Sequence, residues 1–63
     1  MRLMNRAKFI AMRTPFDQNM AADVILLVGM ARAETLCDTA ARLHVSPVWL
    51  AEEEVRAAQD KKK

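Results

Sequence analysis

Apolar residues recur along this chain at helical spacing, and start and stop residues divide them into short segments. Leu3, Ala7, Ile10 and Ala11 share one side of a helix expected from about Leu3 to Met12, with Arg2, Arg6 and Arg13 largely on another. Thr14 and Pro15 end it, because the residue before a proline is pushed out of the α region. Asp17 then stands where it can cap a second helix containing Met20, Val24, Ile25, Leu26, Leu27 and Val28, apolar nearly all round in its second half. Val24 to Val28 has strand composition too, but one isolated strand cannot satisfy its backbone, so a helix is expected.

Gly29, the only glycine, admits two architectures. It can end the second helix in a left-handed cap, with Met30 to Glu34 as a connection, or the helix can run on through Ala31 and Ala33. The first is preferred, because a start signal follows at Thr35, where Thr35 and Asp38 form a capping-box spacing. Leu36, Ala40 and Leu43 then fall on one face. A second start signal lies close behind: Ser46 can cap, Pro47 suits the first helical position, and Val45 can staple onto Leu50. The expected architecture is all-α, a single small domain of three to four short helices over residues 1–63, with a helix-turn-helix-like unit at 35–55 and a basic tail at 60–63.

The length of 63 residues permits one small core, and with only three aromatic side chains that core must be aliphatic. Cores of this size often gain stability by oligomerising, and a dimer is expected. One cysteine, Cys37, cannot form an internal disulfide, and the longest apolar run, Val24 to Val28, is far short of the roughly 20 residues a spanning helix requires. A cytoplasmic location with no membrane association follows as an expectation. Net charge is +2, but residues 1–14 carry +4 (Arg2, Arg6, Lys8, Arg13). Residues 34–54 carry −4 (Glu34, Asp38, Glu52, Glu53 and Glu54 against Arg42).

From Thr35 to Val55 the chain resembles the helix-turn-helix of the phage repressor and Cro type, over about a third of its length. Ala40 matches the small central residue of that family's first helix, and Leu43, Val45 and Leu50 match apolar positions. His44 stands where the family usually has a turn glycine, and Glu53 occupies a late apolar position. The run L-H-V-S-P-V-W-L-A-E-E also looks like the last two helices of the same domain family, a segment that packs and does not read DNA. Small regulators with degenerate units of this kind resemble accessory proteins of temperate phages.

The resemblance implies a non-enzymatic regulator of transcription whose helix from Pro47 enters the major groove of double-stranded DNA. Ser46, Pro47, Val48, Ala51 and Glu52 would then meet base edges, and Arg2, Arg6, Lys8, Arg13, Arg42 and the lysine tail would meet phosphates. The alternative is a homo-oligomeric protein-interaction module whose interface is Val24, Leu27 and Val28, with Trp49 as a second anchor or, more simply, a core residue. Met4, Met12, Met20 and Met30 read as gap-fillers, and Glu52 as the ion-pair partner of Arg56 four residues on. No cofactor, metal or catalytic group is expected, since one histidine and one cysteine supply two ligands where zinc needs three or four.

Overall fold

In the computed structural model, which describes residues 3–60, four helices follow one another with no strand among the described residues. They are α1 (Leu3–Arg13), α2 (Gln18–Val28), α3 (Met30–Leu43) and α4 (Pro47–Asp60). Arg2 and the lysine tail lie outside the described residues.

Local chemistry sets most of the boundaries. The Thr14 hydroxyl donates to the Ile10 carbonyl at 3.0 Å and accepts from the Phe16 amide at 3.4 Å, closing α1 where Pro15 forbids another turn. Asp17, with extended backbone, accepts from the Met20 amide at 2.8 Å and caps α2. His44 ends α3 in the left-handed conformation (φ 59°, ψ 42°). The His44 and Val45 amides donate back to the Ala41 and Ala40 carbonyls, so the helix ends in a Schellman motif. Ser46 Oγ accepts from the Trp49 amide at 3.4 Å, and Pro47 opens α4.

Two expectations need correction here. Gly29 does end α2, but residues 30–34 are not a connection: α3 starts immediately at Met30, so α2 and α3 are joined by one residue. Thr35 therefore lies inside a helix, its carbonyl accepting from the Thr39 hydroxyl at 3.1 Å, and the supposed capping box does not form. The reason is packing. Buried Ala33, Leu36, Cys37 and Ala40 form an i, i+3, i+4, i+7 stripe, so burial favours a helix that begins before Thr35.

Ala7 and Ile10 of α1, Ala21, Val24 and Ile25 of α2, Ala33, Leu36 and Cys37 of α3 and Ala51 of α4 form one buried cluster. Leu3, Phe16, Val28, Met30, Val48 and Leu50 pack around it. Helix α2 packs against the other three, α3 also touches α1 and α4, and α1 and α4 do not meet. The molecule measures 38 × 27 × 15 Å. Two stacked helices span about 14 Å between their outer Cα atoms, so the thin dimension corresponds to two layers. Helices α1 and α4 lie on different sides of α2, and α3 packs against all three.

Candidate interaction surface

Because α2 is apolar nearly all round, its neighbours decide which side chains stay wet. Val24 and Ile25 point into the core, whereas Leu26 is 72% exposed and Leu27 38%. Val24 is thus removed from the expected oligomer interface: it is already covered by its own chain. Val28 is half-buried against the core and Leu27 stands at its margin.

The expected phosphate contacts are partly committed elsewhere. Arg13 bonds to Glu34 and reaches Asp38 at 3.5 Å, and Arg6 lies 3.8 Å from Glu34, so both arginines tie α1 to α3. Their guanidiniums also stand 5.5 and 5.4 Å from the centre of the Phe9 ring. Lys8 and Arg42 are exposed and carry no ion pair among the described residues.

Helix α4 is turned so that its presumed reading residues face inward. Pro47 and Ala51 are buried and Val48 packs on the core, leaving only Ser46 and Glu52 of the five exposed. The outward ridge of α4 is instead Trp49, Glu52, Glu53 and Arg56, at i, i+3, i+4 and i+7. Glu53, half-buried at the position where the repressor-type unit has an apolar residue, pairs with Arg56 at 3.5 Å. That replaces the expected Glu52–Arg56 pair and leaves Glu52 without an ion-pair partner among the described residues. Glu54 takes three hydrogen bonds from Arg32 of α3, at 2.7, 2.9 and 3.1 Å, which hold its carboxyl below and the guanidinium above their ordinary pKa values.

Other side chains reverse the roles expected of them. Trp49 is 53% exposed, not core, and Leu43, matched to an apolar position of the helix-turn-helix, is 60% exposed. Met12, at 85%, fills no gap. Cys37 is buried, and desolvation followed by the neighbouring Asp38 charge pushes its thiol pKa up, whereas His44 is exposed on the turn. These two therefore share no site. Among the described residues there is no pocket and no cluster of three metal-ligating side chains, and no helix is long and apolar enough to cross a membrane.

What remains is a surface. Leu43 and Trp49 flank the α3–α4 turn, the first on the last turn of α3 and the second on the first turn of α4, with Glu52 and Glu53 one turn beyond Trp49. An exposed tryptophan bordered by acids suits an apolar contact inside a polar rim. Comparison of the chain with family models, with curated proteins and with solved structures found no match in any of the three.

Proposed function

We propose that this chain is a small non-enzymatic interaction module that binds another protein through the α3–α4 turn and the outward ridge of α4. The observation that carries this reading is the exposure of Trp49 and Leu43 on a helix pair whose base-facing positions, Pro47, Val48 and Ala51, are turned into the core. An apolar anchor in an acidic setting fits a partner surface with an apolar depression and a basic rim. DNA reading, which the repressor-type resemblance implies, is supported by the left-handed His44 turn and by exposed Lys8 and Arg42. Against it, Glu52 and Glu53 on the outward ridge of α4 would face phosphates, and Arg6 and Arg13 already hold acids of their own chain.

The test pairs two measurements. Anisotropy of a labelled mixed-sequence duplex should show no binding at about 50 mM salt; binding that falls by orders of magnitude at about 200 mM would restore the DNA reading. The immobilised chain should retain a protein partner that is lost on Trp49→Ala, a substitution of an exposed residue that leaves helicity intact. Retention that ignores Trp49→Ala would overturn the assignment of this surface.

A further inference from the structure

Helix α3 packs on α1, α2 and α4, and α2 keeps a face that none of its neighbours covers. Three observations say which side chains stand on that bare face. Along α2, the stripe that avoids all three neighbours is Asn19, Asp23 and Leu26, with Leu27 beside it. On α1, Arg6 and Arg13 reach toward α3 while Ala7 and Ile10 point inward. At about 100° per residue, that leaves Met4 and Lys8 on the side away from α3. On α4, Glu54 reaches Arg32 of α3 while Pro47 and Ala51 point inward, so Glu52 is left on the side away from α3.

The two edges of this face have opposite charge. Arg6, Arg13 and Glu54 are turned to α3 and paired there, which leaves Lys8 as the basic group of α1 on this face and Glu52 as the acidic group of α4. A polyanion laid on the face would meet Glu52 and Asp23, and a polycation would meet Lys8. A second copy meets neither problem, provided it is turned about a two-fold axis parallel to α2, because α1 of each copy then lies over α4 of the other. The other in-plane two-fold, perpendicular to α2, sets α1 on α1 and α4 on α4.

We infer that the bare α1–α2–α4 face docks a second copy of this chain, with Leu26 and Leu27 at the centre and Lys8 of each copy opposite Glu52 of the other. This deepens the interaction reading, on which it rests, by naming one partner; Glu52 belongs to both surfaces, whereas Leu26, Leu27 and Lys8 belong to this face and Trp49 to the other. The 38 by 27 Å outline of the whole molecule bounds this face at roughly 1,000 Å², so nearly all of it is needed to reach the roughly 800 Å² per partner of a standard interface. Lys8, Asp23 and Glu52 are the charged groups placed on that face, and none of the three has an ion pair within the described residues. The arrangement has a cost it cannot avoid: Asp23 of α2 stands near its own copy across the axis, a like-charge approach.

Sedimentation equilibrium of the full chain over a range of concentrations tests this. The expected result is a closed dimer that dissociates more readily as salt rises. Leu26→Asp should abolish it with helicity retained. Lys8→Glu should weaken it roughly tenfold, with recovery when Glu52→Lys is added in the same chain. Asp23→Asn should tighten it by removing the like-charge approach. A monomer at every concentration, a dimer indifferent to Leu26→Asp, an open-ended polymer, or a charge swap without recovery each overturns the inference. A monomer that still loses its partner protein on Trp49→Ala would sink the dimer alone and leave the proposed function standing.

Discussion

Three leucines in this chain offer one substitution in three environments. Leu36 is fully buried in α3, Leu43 lies seven residues further along the same helix and is 60% exposed, and Leu26 on α2 is 72% exposed. Replacement by alanine costs no helix propensity, so the difference between sites reports burial. At Leu36 the lost transfer energy and the cavity together amount to about 2–5 kcal/mol. A domain of this length has about 3–9 kcal/mol in total. Leu36→Ala should therefore remove a large share of the stability and lower the melting temperature by about 10 °C or more. Leu43→Ala and Leu26→Ala should stay within about 0.5 kcal/mol of the parent. Urea titrations followed by circular dichroism, at protein concentrations low enough to avoid self-association, give all three values. The result that would refute the reasoning is Leu43→Ala costing as much as Leu36→Ala, because the two leucines share a helix face and the exposure of the last turn of α3 would then be wrong.

Three further predictions follow from single features. Gly29→Ala should destabilise by about 1–3 kcal/mol in the same titration although a methyl group there would meet nothing within 4 Å, because φ 92° and ψ 162° lie in a region essentially reserved for glycine. Cys37 should react with a thiol reagent only as fast as the chain opens, being buried with a raised pKa, and urea should speed the reaction in step with unfolding. Glu54 has a lowered folded-state pKa, so its pair with Arg32 contributes stability above the ordinary carboxylate range and loses it as pH falls through the folded value; the exposed pair is worth about 0.2–1 kcal/mol. Glu54→Gln should remove that part of the acid sensitivity, seen as a shallower fall in melting temperature between neutral and acid pH.

Much of the fold was legible because its punctuation is local. Thr14 before Pro15, Asp17 as a cap, Ser46 before Pro47 and a left-handed His44 are all decided within a few residues, and each stands where the sequence implied. The start of α3 was not legible, because Gly29 offers no side-chain cap and burial of the stripe from Ala33 to Ala40 outweighs the signal at Thr35. Orientation was the other hidden quantity. A helix as apolar as α2 does not announce which of Val24 and Leu26 its neighbours will cover. Trp49 reads more simply as core, whereas Pro47 and Ala51 are the residues of α4 that are buried. The bonds that withdraw Arg6 and Arg13 from the candidate phosphate contacts join residues 21 or more positions apart, beyond the reach of any local pattern.

The one-residue joint at Gly29 makes the chain act like a pair of meshed gears. An extra residue in a slack loop is absorbed there, but an extra residue between Val28 and Met30 has no slack to enter. If it extended either helix, it would turn α3 by about 100° relative to α2 and swing Leu36, Cys37 and Ala40 out of mesh together. The four residues from Thr14 to Asp17, between α1 and α2, leave more chain to absorb an insertion, with Phe16 as their one contact to the core. Length variation should be tolerated at that first connection and refused at Gly29, and a library of single-residue insertions would map the difference along the chain.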